Sequence, residues 1–480
     1  MGLLSNSVNR PAFRAPASAI PYPIPRFFLI LAAVSLCLLL FFEVDSFVGS
    51  VVSRTKTIIG HNLEPTPWHP FPPRTLDSES KYSTFSRIFK CSYLSCGRSS
   101  PYELTQQRSD DYIRRSKNET CPEVFKFIHR DLEPWAKSKV TLAHLMEAQN
   151  FAAFRVTIIE GKLYVELYYD CVQSRQMFTI WSILQLLRRY PGKVPDVDLM
   201  FDCMDKPMVD RANFTSMPLP LFRYCTTSEH FDIPFPDWSF WGWPEIQIQP
   251  WGEEFRSIKQ GSMSKLWSQK WPFAYWKGNP DVASPIREML LQCNDTAKWK
   301  AQILRQDWGA AARAGFKDSK LSSQCNHQYK IYAEGYAWSV SLKYILSCGS
   351  VPLIVSPKYQ DFFSRGLTPK KNFLPVSPTE LCRSIKMSVE WGHAHPSEAE
   401  AIGKAAQDYM GSLRMDRVYD YMFHLLSEYS KLQDFKPVRP PTATETCVES
   451  VLCYADENQR RFLEKSLAFP STSPPCSLQP

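Results

Sequence analysis

A short run, residues 197–203 (VDLMFDC), reads as a buried strand that ends at Asp202 and Asp205. Residues at strand ends are well placed to face a cleft, and a carboxylate there can take a proton from a hydroxyl nucleophile. A second candidate is a strand–glycine–helix junction, residues 329–346 (YKIYAEGYAWSVSLKYIL), with a strand through Tyr332, a turn at Glu334–Gly335 and a helix opening near Trp338 or Ser339. Free N–H groups at that helix start suit a phosphate, with Ser339 donating and Lys343 one turn on neutralising charge. The plainer reading is a packing turn with Ser339 as an N-cap. A third candidate, Tyr275 to Asn279 (YWKGN), is a strand that ends in the cation Lys277 and in Gly278, where a ligand can approach; otherwise it is an edge turn with a solvated lysine. Asp196-x-Asp198 has the spacing of a divalent-cation site, and equally that of a surface turn. The rings between Trp238 and Trp251 suit a sugar or a nucleobase, or else fill hydrophobic space between domains.

The elements that must position these residues alternate in type. Residues 154–167 (FRVTIIEGKLYVEL) read as a hairpin turning at Glu160–Gly161. Residues 173–190 carry apolar side chains at helical spacing and end in two arginines that suit a helix C-terminus. The stretch 218–250 holds too many prolines and aromatics for regular elements and reads as an irregular ordered region. Beyond it, residues 274–277, 329–332 and 351–355 read as strands, with a helix over 339–348 between the last two, which argues for an α/β unit with a parallel sheet. Residues 396–432 are helical by pattern, and the Pro/Thr/Ser-rich end after Lys436 reads as loose. No Walker loop, G-x-G-x-x-G, G-x-S-x-G or H-E-x-x-H is present, which disfavours P-loop, dinucleotide-binding, serine-hydrolase and zincin chemistry.

The 480 residues include 44% hydrophobic and 14% aromatic residues, enough for a large core, while 38 prolines imply that part of the chain is not packed. A net charge of +8, evenly spread, does not argue for nucleic acid. Residues 27–42 (FFLILAAVSLCLLLFF) are uncharged, preceded by Arg10, Arg14 and Arg26 and followed by Glu43 and Asp45, and read as the core of an uncleaved signal anchor over 27–48. A cleaved signal peptide or a buried helix is the competing reading. The charge order predicts a cytoplasmic tail (1–26) and a lumenal body, held off the membrane by a proline-rich stem (49–90). Sequons at Asn118, Asn213 and Asn294 lie on that lumenal side, as do all the cysteines but Cys37. No cysteine spacing suggests zinc, so disulfides are expected; the count is odd, and Cys476 or Cys348 is the expected free thiol.

Taken in order, FDCMDKP (201–207), CTTSEHFDIPFPDWSFWGWPE (225–245), PFAYWKGNPDVASPIR (272–287), CNHQYKIYAEGYAWSVSLKYILSCGSVPLIV (325–355) and FLPV (373–376) resemble the protein O-glucosyltransferase family. That family includes the Rumi-type enzymes and the CAP10-like capsule xylosyltransferases. The likeness runs from about Cys91 to about Leu432, and EGYAWSVS with the N-terminal anchor looks most like the plant branch. The resemblance implies a GT-B-like α/β architecture, two Rossmann-like domains (91–250 and 251–436) facing a cleft, followed by a tail (437–480). It implies an inverting transfer from a UDP-sugar, glucose, xylose or a related sugar, to a hydroxyl of a protein or polysaccharide, with no metal and no further cofactor. Asp205 matches the family's catalytic base. Lys277 stands where the family has an arginine, which keeps the charge and loses the bidentate fork. Where animal members have Phe-Arg-Gly this chain has Ala333-Glu334-Gly335, so phosphate contacts are expected from Ser339, Lys343, Lys277, backbone amides and the glycines Gly278 and Gly335. Tyr332 and Glu334 complete the expected donor site, with Glu334 on ribose or sugar hydroxyls. A lumenal enzyme of the Golgi or endoplasmic reticulum follows. The alternatives are a carbohydrate-binding protein of the same fold that has lost catalysis, and a metal-dependent transferase using Asp196 and Asp198.

Overall fold

The computed structural model describes Cys91 and residues 119–214 and 218–479, all within the unit Thr66–Pro480. The anchor at 27–48, the stem at 49–90 and the Asn118 sequon lie outside the described residues. Among the described residues no helix is long and apolar enough to cross a membrane.

The expected hairpin is the start of a six-stranded sheet. Strands β1 (Phe154–Ile159) and β2 (Lys162–Leu167) pair antiparallel with Val156 opposite Val165. Glu160 and Gly161 both take positive φ, 50° and 75°, the backbone that a two-residue turn between twisted strands requires. β1 also pairs antiparallel with β3 (Val197–Phe201), and β3 pairs parallel with β4 (Leu221–Arg223), which pairs parallel with β5 (Ile233–Pro234). The sheet is therefore mixed, where the resemblance led one to expect a parallel Rossmann-like half. The second sheet is parallel throughout, in the order β10-β9-β8-β6-β7: β6 is Trp271–Gly278, β7 Ala301–Arg305, β8 His327–Tyr332, β9 Val351–Val355 and β10 Leu374–Val376. Its apolar side chains Tyr329, Ile331 and Leu353 bury against Leu381, Ile385 and Val389 of the helix Leu381–Ala394. Together these elements make an α/β fold.

Two expectations about the C-terminal part are corrected. The domain boundary at 436 fails because the helix Met415–Ser430 leaves the second sheet and packs on the first. There Arg189 pairs with Asp416 at 2.8 Å, and Gln433 accepts from the Asp198 amide at 3.1 Å. A helical pattern says that one face is buried, not which sheet buries it. The expected loose tail is ordered as well: β11 (Thr444–Thr446) extends the first sheet beside β2, and the helices Val448–Tyr454 and Glu457–Lys465 follow. Trp181, from the long buried helix Arg175–Arg189, donates to Ser466 Oγ at 2.9 Å, and Gln185 accepts from the Ala468 amide at 2.8 Å.

Disulfides hold this return in place. Cys91–Cys447 and Cys121–Cys476 tie the start of the described body to its end, while Cys171–Cys203, Cys293–Cys382 and Cys325–Cys348 brace loops within it. Cys476 and Cys348, expected to be free, are both bonded. Among the described residues the free thiol is Cys225, buried, with its Sγ donating to the Asp205 carbonyl at 3.3 Å. A Cys121→Ala/Cys476→Ala variant should lose about 2–5 kcal/mol of unfolding free energy in a urea titration. A loss below about 0.5 kcal/mol would mean that non-covalent packing alone holds the tail.

Candidate functional site

A cavity of about 260 Å³ opens at the carboxyl ends of β6, β7 and β8, the edge where parallel α/β sheets bind ligands. Asp205, Arg175 and Trp243 reach it from the first sheet's side; Lys277, Arg287 and Ser339 reach it from the second.

Asp202 and Asp205 divide their work. Asp202 is buried, paired with the Arg223 guanidinium and accepting from the Tyr169 hydroxyl, so it braces the end of β3. Asp205, four residues beyond the strand, keeps its side chain 22% exposed and lines the cavity. Its carboxylate accepts from Arg175 at 2.6 Å, and that guanidinium also lies 4.3 Å from the Trp238 ring. Cys203, two residues before Asp205, is bridged to Cys171, four residues before Arg175, so one disulfide fixes the spacing of both partners.

On the other wall, Lys277 donates to the Asp318 carbonyl at 3.0 Å. Gly278 is needed for space, since a Cβ there would meet the Trp276 ring at 2.5 Å. The residue that organises this wall is Arg287, on the short helix Pro285–Leu291. Its guanidinium donates to the carbonyls of Asn279 (2.9 Å), Ala333 (3.1 Å) and Glu334 (3.1 Å) and to Ser339 Oγ (3.2 Å). Among the described residues no carboxylate lies within ion-pair distance of it. Burial pulls its pKa down to about 10, against the opposing pull of Tyr332, Glu334 and Asp205. Gly335 lets the loop pass close over it: a Cβ there would sit 3.2 Å from Nη2.

Three expected donor contacts, Lys343, Glu334 and Tyr332, are placed elsewhere, while Ser339 lines the cavity in a different role. Lys343 is buried and gives its ammonium to Asp237 at 2.9 and 3.2 Å, so it does not face the cavity. The helix after the junction is only six residues, Ser341–Leu346, and starts later than expected; Ser339 precedes it and serves as a hydrogen-bond partner of Arg287 instead of an N-cap. A helix that short carries little macrodipole, so the charge at this wall comes from side chains. Glu334 does not point at the cavity: its carboxylate accepts from the amides of Lys358 (3.0 Å) and Tyr359 (2.8 Å), and burial pushes its pKa up to about 7. Tyr332 accepts from the Ser339 amide at 3.1 Å and so shapes the loop from beneath.

The other candidates are absorbed by structure. Asp196 accepts from the Glu160 amide at 2.7 Å, closing the hairpin, and Asp198 is buried against Arg155 at 2.6 Å; neither lines the cavity. Trp238, Phe240, Trp241 and Trp251 are buried filler, and Trp243 alone of that block's tryptophans lines the cavity. Sequence reasoning passed over Arg175 and Arg287. For Arg287 a signal existed: it shares the buried face of its helix with Leu290, three residues on, and an arginine on an apolar face is unusual.

The fold and the cavity define an α/β protein that gathers cations and one carboxylate at the carboxyl edge of a parallel sheet. The chain belongs to glycosyl transferase family 90, whose model matches residues 116–480. It is 26% identical over 350 residues to human protein O-glucosyltransferase 1, covering 69% of this chain and 86% of that protein. It is 23% identical over 380 residues to O-glucosyltransferase rumi of Drosophila melanogaster, covering 72% and 89%, and 25% identical over 327 residues to the rumi homolog of Anopheles gambiae, covering 66% and 80%. Among solved structures, a sucrose-phosphate synthase from Thermosynechococcus elongatus aligns with a TM-score of 0.28 at 11% identity, over 53% of this chain and 62% of that one, too distant to bear on the fold.

Removing one partner of a buried ion pair costs about 3–5 kcal/mol. Lys343→Ala should therefore lower unfolding free energy by about that much in a denaturant titration. Glu334 gives a pH test. Its proton is held up to about pH 7 in the folded chain, whereas unfolded it leaves near the ordinary 4.5, so its contribution to stability falls as pH rises from 4.5 to 7 and then levels. The Tm of the parent should drop relative to that of Glu334→Gln across this window; parallel Tm curves would contradict the raised value.

Proposed function

We propose that this chain is an inverting glycosyltransferase that moves a sugar from a UDP-sugar to a hydroxyl of a protein acceptor, in a GT-B-like arrangement of two Rossmann-like halves around the cavity. One observation carries the reading: the Asp205 carboxylate and the Lys277, Arg287 and Ser339 cluster line opposite walls of one cavity. The sugar's anomeric carbon would lie between them. Asp205 takes the acceptor proton as the acceptor oxygen attacks that carbon, and the bond from the carbon to the diphosphate oxygen breaks in the same displacement. The leaving diphosphate gains negative charge as it departs, and Arg287, with no carboxylate of its own, stabilises it beside Lys277 and the Ser339 hydroxyl. Arg175 orients Asp205. No metal enters this mechanism: Asp196 and Asp198 are engaged away from the cavity, and the cations carry the phosphate charge.

Relatives named as protein O-glucosyltransferases favour a protein acceptor and make glucose the first donor to test, ahead of xylose. Disulfides throughout the body and the exposed sequon residues Asn213 and Asn294 support a lumenal enzyme of the Golgi or endoplasmic reticulum, anchored as a type II protein by residues 27–48.

With the purified full-length chain and a panel of radiolabelled UDP-sugars, Asp205→Asn should lower transfer by about 10²–10⁴-fold. UDP affinity by calorimetry should stay within about twofold of the parent. Activity near the parent's would remove Asp205 from the role. Arg287→Met should weaken UDP binding at least about tenfold, the equivalent of ~1.4 kcal/mol, and an unchanged affinity would contradict the phosphate contact. Transfer should survive EDTA; loss on chelation, restored by a divalent cation, would favour the metal-dependent alternative.

A further inference from the structure

Asp205 stands on one wall of the cavity and the groups assigned to the leaving diphosphate stand on the other, so transfer depends on how far apart the walls are held. Two ties cross between them at this point. The Cys225 thiol donates to the Asp205 carbonyl at 3.3 Å, and the backbone amide of Trp338 faces the same sulfur. One residue on from Asp205, the Lys206 ammonium lies 4.0 Å from the centre of the Tyr336 ring. Tyr336 and Trp338 belong to the loop between β8 and the helix Ser341–Leu346, immediately before Ser339, which is bonded to Arg287. The Asp205 loop is thereby fastened to the loop that presents Ser339.

Three contacts hold Asp205: Arg175 at the carboxylate, Cys225 at the carbonyl, and Tyr336 at the residue that follows. Arg175 and Cys225 belong to the first sheet's side, so of the three only Tyr336 joins the loop directly to the opposite wall. That loop is a firm support, because the buried Trp338 ring packs 5.6 Å from Tyr224 and 6.3 Å from Trp238. Lys206 and Tyr336 are half-buried, and neither lines the cavity. A cation over an aromatic face is held by the ring's quadrupole, with or without a phenol hydroxyl.

Resting on the transferase reading, we infer that Lys206 and Tyr336 are a positioning pair, whose contact sets the distance of the Asp205 carboxylate from the diphosphate wall. The acceptor oxygen must lie between that carboxylate and the anomeric carbon, and a misplacement of about 1 Å is enough to slow such a step severely. Loss of the contact acts on turnover and leaves donor binding alone, because Lys277, Arg287 and Ser339 keep their places without it.

The test follows the full-length chain with the UDP-sugar that the parent turns over fastest and with water as the acceptor, counting released sugar at saturating donor; UDP affinity is measured in parallel by calorimetry. Tyr336→Leu and Lys206→Met, each checked for folding by its Tm, should lower kcat at least about threefold while UDP affinity stays within about twofold of the parent's. The double variant should be no slower than the slower single one, within about twofold, since both remove one contact. Tyr336→Phe, which keeps the ring face, should stay within about twofold of the parent. Unchanged kcat in both single variants would overturn the inference. So would losses that multiply in the double variant, a Tyr336→Phe as slow as Tyr336→Leu, or a UDP affinity that falls along with kcat, which would make the pair a donor contact. A parent that turns over none of the UDP-sugars defeats the transferase reading itself and this inference with it.

Discussion

Arg287 is a buried cation held by neutral oxygens alone, and the cavity wall is built around that fact. Carbonyls from the ends of two neighbouring strands, Asn279 after β6 and Ala333 and Glu334 after β8, turn inward to satisfy its N–H groups. Ser339 completes the set, and Gly335 leaves the room the guanidinium needs. Burying a charge is costly unless an opposite charge or good hydrogen bonds offset it. Here hydrogen bonds keep the guanidinium in place but do not neutralise it, so the wall is set to gain from an anion. An ion pair with a protein carboxylate would have made the site rigid and electrically quiet.

Positive charge in this cavity meets one carboxylate, and its placement depends on the other sheet. Asp205 projects from a loop whose two ends are constrained: β3 and the Asp202–Arg223 pair on one side, the Cys171–Cys203 bridge and Arg175 on the other. The long helix that begins with Arg175 is itself buried on nearly all sides, because the C-terminal segment returns to cover it with Ser466 and Ala468. The tail thus stabilises the Asp205 loop from a distance of more than two hundred residues in sequence, through packing and two disulfides and not through any contact with the cavity.

Glu334 and Lys343 show how a motif can be rightly located and wrongly read. Both lie in the junction that borders the cavity, yet each is turned away from it. Glu334 serves as a side-chain acceptor for the amides of Lys358 and Tyr359, and Lys343 finds Asp237 in the aromatic block. Both side chains stabilise the loops that shape the wall, while Lys277, Arg287 and Lys330 line the cavity itself.

What the amino-acid order settled by itself was local. Period-two and helical patterns located the hairpin, the long helix and strands at 274–277, 329–332 and 351–355, the first two of which extend a few residues further in the structure, and placed Asp205, Lys277, Gly278 and Ser339 at strand ends or junctions that do line the cavity. Such signals are read over a few residues and need no partner. Tertiary structure alone decided which sheet the last helices join, that the tail is ordered, that Cys225 and not Cys476 or Cys348 is left unbonded, and that Arg287 replaces Lys343 at the wall. Each of these turns on a contact between residues far apart in the chain. Burial and the choice of partner, which fix the cost of a charge and the direction a side chain points, exist only once the sheets have met.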